Sequence, residues 1–295
     1  MTAVLSAPTV ALDGRIRSLS DDELAGVAVK ALLDEAVLTP KPGLVDLRGR
    51  GAHRDMDAAM IIVSALNLRD TFRRLAKAGR SALAGAKLRA ELGRIGRDGE
   101  KAMFRVTGGV NTHRGAIWAL GLTVAAAARQ GPSTPRELLR EVATIAAYDD
   151  PAAFAEPTKG RIVRARYHVT GAVGEARAGF PHALAALDTL TRTRDRGSSE
   201  TDARLGALLT SIAGLEDTCL LGRGGPPALA FARDGAAAVL RAGGAASPAG
   251  RLALAQFDHD LVHHGLSPGG SADMLALALL LDRVTSQARS TGTDD

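Results

Sequence analysis

Apolar residues recur at three- and four-residue spacing along almost the whole chain, and the recurrence is interrupted by prolines and glycines rather than by alternation. That spacing stacks apolar side chains on one face of an α-helix and gives no convincing strand. Alanine and leucine dominate while aromatic residues make up only 3% of the chain, which also favours helix. With 295 residues, 46% of them hydrophobic, the chain can bury a sizeable single core. The expected fold is all-α, a single large domain of about ten to twelve helices with its site built from interhelical loops.

The helix boundaries follow from local signals. Residues 1–18 read as a flexible tail and 19–290 as one all-helical domain. Ser20 with Glu23 forms a capping box for a first helix that Pro40 ends. Asp55 is placed to cap a long second helix ending near Gly79, and glycines break the next region into weaker stretches at 82–93 and 95–106. Thr112 is the expected cap of a following helix, and Thr134, Pro135 and Glu137 start another. Residues 149–158 form a proline-broken loop, Gly171 precedes a short piece around Glu175, and a helix starts after Pro181. The stretch TRTRDRGSSET (191–201) reads as a solvated linker, the seam of any subdomains. Helices are then expected at 202–215, 227–242 and 248–264, and a last one capped by Ser271 with Asp273 in its first turn. No fixed-period repeat points to a solenoid.

Composition excludes several classes of function. The net charge is +5, but 31 of the 37 basic residues are arginines scattered along the chain, and two tyrosines and one tryptophan are few stacking platforms for nucleic acid. Cys219 is the only cysteine, so neither an intramolecular disulfide nor a CxxC metal site is available, and a reducing cytoplasm is the expected compartment. The N-terminus lacks the charge and apolar run of a signal peptide, and LALALLLDRV (275–284) is too short to span a bilayer. GxxxxGK[ST], strand-borne GxGxxG and HExxH motifs are absent; GLSPG (265–269) matches GxSxG but follows a helical stretch, and His259, His263 and His264 read as surface residues.

Four junctions concentrate the chemistry. In EAVLTPKPGLVDLRGRGAHRDMD (35–57), Pro40 and Pro42 force Thr39 and Lys41 into extended backbone, so Lys41 sits on a stiff arm suited to an anion. Gly43, Gly49 and Gly51 let backbone N–H groups approach a ligand. Glu35, Asp46, His53, Asp55 and Asp57 surround that arm, and Glu35 opposes the dipole of the helix it ends. The segments TGGVNTHRGAIWAL (107–120), LEDTCLLGRGGPPAL (215–229) and HHGLSPGGSADMLAL (263–277) likewise join paired glycines to polar residues beside a helix, which points to one shared pocket. His113 and Arg114 fall at a helix start that favours anions. Glu35, Asp46, Asp55, Glu216, Asp217 and Asp273 are hard oxygen donors, suited to Mg²⁺ carrying a polyphosphate. Glu216 and Asp217 repel one another unless a cation offsets them, and Arg223 with Gly224 and Gly225 follows to meet phosphate oxygens.

Taken together, LTPKPGLVD with GAHRDM, GGVNTHRGAIWALG, LEDT–LL–RGG and LSPGGSADMLA, in that order over residues 20–285, resemble the signature blocks of the triphosphoribosyl-dephospho-CoA synthase family, which serves citrate lyase and malonate decarboxylase. Cys219 and Gly222 depart from the family's EDTNLLHRGG block and Val173 from its GARGEA, while Glu175, Glu216, Asp217 and Arg223 match. The resemblance implies an all-helical pentosyltransferase. It would move the triphosphoribosyl group of ATP to the 2′-hydroxyl of 3′-dephospho-CoA, release adenine, and pass the product to an acyl-carrier-protein transferase. Carboxylates would stabilise the positive charge on the ribose and deprotonate the hydroxyl. The candidates are Asp46, Asp55, Glu216, Asp217 and Asp273 as catalytic acids, and Glu35, Asp46, Asp55, Glu216 and Asp217 as Mg²⁺ ligands. Lys41, His53, Asn111, His113, Arg114, Arg223, Gly224, Gly225, Gly269, Gly270 and Ser271 are the candidate substrate contacts. Two other readings compete: a Mg²⁺-dependent ADP-ribosyl-type hydrolase, and a helical assembly factor for an acyl-carrier subunit.

Overall fold

The computed structural model describes residues 18–154 and 158–286. These form helices α1 (Asp21–Ala36), α2 (Ala58–Asn67), α3 (Arg69–Ser81), α4 (Ala86–Val106), α5 (Arg114–Gln130), α6 (Pro135–Ala147), α7 (Lys159–Tyr167), α8 (Gly171–Arg177), α9 (Pro181–Asp195), α10 (Glu200–Gly214), α11 (Thr218–Arg241), α12 (Pro248–His263) and α13 (Gly269–Ser286), with a 3-10 turn at Pro151–Phe154. No strand occurs among the described residues; the only β-type pairing there is an isolated bridge between Asp46 and Gly49. The tail expected at 1–18 lies, up to residue 17, outside the described residues.

Two helices are apolar all round, and such helices belong inside. In α13 every residue from 275 to 281 is at most 1% exposed, and α13 packs against α1, α5, α9, α10 and α11. In α5 nearly every residue between Ala116 and Ala128 is buried. Gly79 of α3 lets α5 come close, because a Cβ there would stand 2.2 Å from the Ala125 carbonyl oxygen. The other helices form a shell, and one continuous apolar cluster runs from Leu24 in α1 to Leu281 in α13. Among the described residues, no single helix is long and apolar enough to cross a membrane.

Several boundaries differ from expectation for identifiable reasons. Asp57, not Asp55, caps α2, its Oδ1 accepting from Met60 N–H at 3.0 Å, and the expected long second helix breaks at Leu68 into α2 and α3. The glycines of α4 do not break it, and two of them serve packing: a Cβ on Gly99 would lie 2.5 Å from the Thr71 methyl, and one on Gly93 would meet the Asp150 carboxylate. The helix expected from 227 is present as the second part of α11: an additional first part opens at Thr218, capped by Asp217, and Gly225 (φ 69°, ψ −163°) breaks the two apart just before Pro226 and Pro227. His113 rather than Thr112 occupies the N-cap position of α5, without a capping bond of its own. Helix α13 starts at Gly269, so Ser271 is its third residue rather than its cap, and Asp273 lies beyond the first turn. The expected linker at 191–201 is mostly helix, with Arg194 bound to Glu200 and Asp282, each at 2.8 Å.

The loop between α1 and α2 is clamped onto the corner between α12 and α13. Gly43 N–H donates to Asp258 Oδ1 (2.9 Å), and Arg223 Nη1 donates to the carbonyls of Ala52 (3.1 Å) and Gly265 (2.8 Å). This brings the first and last of the four junctions together.

Candidate active site

The proline-stiffened arm turns Lys41 inward, not outward. It is 1% exposed, and its Nζ donates to Glu35 Oε1 at 2.6 Å. That ion pair is the physical reason a carboxylate is tolerated in the last turn of α1. The backbone N–H of Lys41 donates to Asp46 Oδ2 (2.9 Å), while Arg48 donates to Oδ1 from its backbone (2.8 Å) and to Oδ2 from Nε (2.9 Å) and Nη2 (2.7 Å). Burial pushes the Asp46 carboxyl up, but the Arg48 guanidinium and the two N–H groups outweigh it and hold the group below the usual range. Arg48 also pairs with Asp258 at 2.8 Å, so Asp46 is a locked structural anion of the loop.

Three helix N-termini meet beside that arm. Asp217 is 1% exposed and caps two of them: Oδ1 accepts from Cys219 N–H (2.8 Å) at the start of α11, and Oδ2 accepts from the N–H (2.8 Å) and Oγ–H (2.9 Å) of Ser271 in α13. Gly269 and Gly270 permit this contact, because a Cβ would lie 3.1 Å from Cys219 Sγ or 3.0 Å from Asp217 Oδ1. Asp273 reaches from α13 to the third N-terminus and accepts the N–H of Ala116 in α5, supplying the cap that His113 does not. Gly115 makes room, since a Cβ there would stand 2.0 Å from Asp273 Oδ2.

Asp273 is the carboxyl whose ionisation the site perturbs. Burial, then the charges of Glu35 and Asp217, hold it well above the ordinary carboxylate range, although the Ala116 N–H works the other way. The neighbouring Cys219 thiol is pushed up by desolvation and by Asp217 and Asp273, so it stays a neutral thiol. His113 lies within the field of Lys41. Burial first, and that ammonium second, lower its pKa to about 4, so the ring is neutral at neutral pH. Its Nδ1 meets Ser64 Oγ at 2.8 Å, and its buried Nε2 has no partner. Glu35, Lys41, His113, Asp217, Ser271 and Asp273 therefore form one centre, drawn from all four junctions.

Other candidates stand apart from it. His53 joins Ser267 Oγ (2.9 Å) through Nε2 and Asp55 (3.3 Å) through Nδ1, with Arg223 Nη2 at 3.2 Å from the ring. This has the connectivity of a nucleophile triad, but Ser267 is 1% exposed, lies in a loop after a helix, and the ring's pKa is lowered by burial and by Arg223. Asp55 is exposed and touches only this rim. Glu216 is exposed and lines a separate concavity. Asn111 accepts the Arg114 N–H (3.1 Å), while the Arg114 side chain pairs with Glu100 (2.7 Å) over the Phe104 ring. Gly224 and Gly225 form the bend of α11, packed near Leu266 and Tyr167.

Of the candidate Mg²⁺ ligands, Glu35 and Asp217 fall in the centre, while Asp46 is locked by Arg48 and Asp55 and Glu216 stand apart. Among the described residues no group of three or more His, Cys, Asp or Glu side chains could hold a metal ion as arranged. Glu35, Asp46 and Asp217 are occupied by Lys41, Arg48 and Ser271. A preformed all-protein Mg²⁺ cage does not fit; an ion carried on a polyphosphate needs only one or two protein carboxylates.

Over residues 21–291 the chain matches the CitG family, described as ATP:dephospho-CoA triphosphoribosyl transferase. The chain belongs to this family. It is 52% identical over 264 residues to a protein of Pseudomonas aeruginosa strain UCBPP-PA14 named probable 2-(5''-triphosphoribosyl)-3'-dephosphocoenzyme-A synthase, covering 88% of this chain and 90% of the relative. It is 47% identical over 263 residues to the 2-(5''-triphosphoribosyl)-3'-dephosphocoenzyme-A synthase of Klebsiella pneumoniae, covering 88% and 94%. No solved structure matches. In this CitG-family chain, Arg48, Asp258, Ser64 and Gly115 support the centre, and the first three carry no mark of it in the sequence. For Gly115 there was a signal: a glycine in the first turn of a helix costs about 1 kcal/mol relative to alanine, so its presence marks a close approach.

Proposed function

We propose that the chain transfers the triphosphoribosyl group of ATP to the 2′-hydroxyl of 3′-dephospho-CoA, releasing adenine, with Asp273 as the general base. The observation that carries this reading is the position of Asp273. It is half-buried at the start of α5, and desolvation first, then Glu35 and Asp217, raise its proton affinity. A carboxylate of raised pKa is a better base for a hydroxyl, and such catalysis contributes about 10²–10⁴-fold. Cleaving the C1′–N9 bond leaves positive charge on the ribose, which the fixed negative charges of Asp217 and Glu35 stabilise.

The converging starts of α5, α11 and α13 bring together the positive ends of three dipoles, suited to the triphosphate, while Asp217 and Asp273 take the N–H groups of Cys219, Ser271 and Ala116. Arg223 and His53, on the rim, are the side chains placed to meet its outer oxygens. Mg²⁺ would enter on ATP, supplying charge neutralisation for the triphosphate, with Glu35, whose Oε1 holds Lys41, as its protein ligand. Asp55 and Glu216 lie outside this centre and have no part in the base step. The product is the prosthetic-group precursor for the acyl-carrier subunit of malonate decarboxylase or citrate lyase. It would pass to an acyl-carrier-protein transferase in the cytoplasm, where ATP and dephospho-CoA are available.

Mass spectrometry of the protein incubated with MgATP and 3′-dephospho-CoA tests this. The expected result is adenine together with a coupled triphosphoribosyl-dephospho-CoA in equal amounts. Adenine with free triphosphoribose would make the chain a hydrolase, and no adenine would leave the assembly-factor reading.

A further inference from the structure

Segment 215–217 lies between the acid centre and a separate concavity. Leu215 (φ −68°, ψ 139°) and Asp217 (φ −66°, ψ 110°) are extended, so successive side chains point opposite ways. Asp217 faces Ser271 and the acid centre, whereas Glu216 lines a pocket whose other walls include Thr170, Gly171, Glu175, His182 and Arg233. The pocket is tied to the centre through α5: Trp118, one turn beyond Gly115, donates its Nε1–H to the Ala172 carbonyl of α8 at 2.9 Å.

The pocket carries unused hydrogen-bonding capacity. Glu175 Oε1 meets His182 Nδ1 at 2.8 Å, but its Oε2 is buried with no partner. Arg233 donates to the Gly214 carbonyl, which leaves its buried Nε unpaired. An unpaired buried carboxylate oxygen costs free energy that one N–H donor would recover. With Nδ1–H donated to Glu175, His182 meets a ligand through Nε2, which carries a proton to give only in the imidazolium form that the step below uses. The pocket thus offers an acceptor and a ring nitrogen side by side. The edge of adenine that carries N6–H₂ and N7 is the complementary pair, a donor beside an acceptor.

We propose that this pocket receives the adenine of ATP, with Glu175 Oε2 accepting from N6–H and His182 Nε2–H giving its proton to N7 as the base departs. The proposal rests on the transferase reading above. The C1′–N9 bond breaks and its electron pair passes into the purine, which takes the His182 proton at N7 and leaves as neutral adenine. The acceptor's 2′-oxygen bonds to C1′ and its proton goes to Asp273. Asp273 then releases that proton to water and His182 regains one, so the cycle closes without another reactant. His182 and Glu175 touch the leaving group and Asp273 the incoming hydroxyl, so the proposal has the ribose at the edge of segment 215–217, between the two.

The test is a crossed comparison of enzyme and substrate, using wild type and His182→Gln with ATP and with 7-deaza-ATP, whose carbon at position 7 cannot take the proton. Wild type is expected to lose about 10²–10⁴-fold in kcat with 7-deaza-ATP, and His182→Gln to lose a similar factor with ATP. The two losses should not multiply: His182→Gln with 7-deaza-ATP should be no slower than His182→Gln with ATP. Circular dichroism checks folding, and Glu175→Gln, isosteric with the native side chain, supports the same comparison should the histidine variant unfold. Wild-type-like rates in the variants, multiplicative losses, or an effect confined to KM for dephospho-CoA would overturn the assignment. A wild-type protein that makes no coupled product from ATP would instead remove the transferase reading itself.

Discussion

Replacing Lys41 by methionine probes the centre most severely. The side chain is 1% exposed, and its Nζ lies 2.6 Å from Glu35 Oε1, which is itself in the field of Asp273. Removing one partner of a buried ion pair typically costs about 3–5 kcal/mol, because the other charge remains buried and uncompensated. Methionine keeps most of the volume, so the loss reports charge rather than a cavity. Lys41→Met should therefore lose about 3–5 kcal/mol in urea unfolding followed by circular dichroism. Adding Glu35→Gln should recover most of the loss, since a neutral pair no longer buries an orphan charge. His113 gives a second readout, because the Lys41 ammonium is one of the two causes that lower its pKa to about 4. In Lys41→Met that pKa should rise, as read from imidazole NMR shifts. A single variant within about 1 kcal/mol of wild type, or a double variant whose losses simply add, would refute the reasoning.

Gly115→Ala places a Cβ 2.0 Å from Asp273 Oδ2 and should displace that carboxyl, lowering kcat strongly while circular dichroism shows the helices retained. Ser271→Ala removes the Oγ–H bond to Asp217 (2.9 Å) but not the N–H bond, and should cost about 1.5–3 kcal/mol in denaturant unfolding. Buried neutral His113 makes stability fall with acid. Its folded pKa of about 4 lies below the unfolded value near 6.5, so its contribution is full above about pH 6.5 and is lost as pH falls toward 4. The size is about 3 kcal/mol, and His113→Gln should flatten that part of a melting-temperature profile against pH.

The helical fold was legible because its signals are local. The capping boxes of Ser20 with Glu23 and of Thr134 with Glu137 are present where the spacing places them. Boundaries that depend on tertiary contact were not legible. The glycines of α4 read as breaks because only the folded packing of Thr71 and Asp150 against them explains their use. For the centre, the four glycine-rimmed junctions did locate Glu35, Lys41, His113, Asp217, Ser271 and Asp273 together. The separation of Glu216 from that group depends on which way its side chain points along extended backbone, that of Asp55 on the bend in its loop, and Asp258 reaches Arg48 and Gly43 across more than two hundred residues. Neither direction nor distance of that kind is written in spacing.

The most direct measurement is the rate of adenine release from MgATP and 3′-dephospho-CoA by Asp273→Asn, set beside its melting temperature. The asparagine keeps the shape and can still accept from Ala116 N–H, but it relieves the repulsion with Glu35 and Asp217 and cannot take a proton. The account predicts a protein at least as stable as wild type whose release of adenine falls by about 10²-fold or more. An Asp273→Asn protein that folds and turns over at the wild-type rate would contradict it.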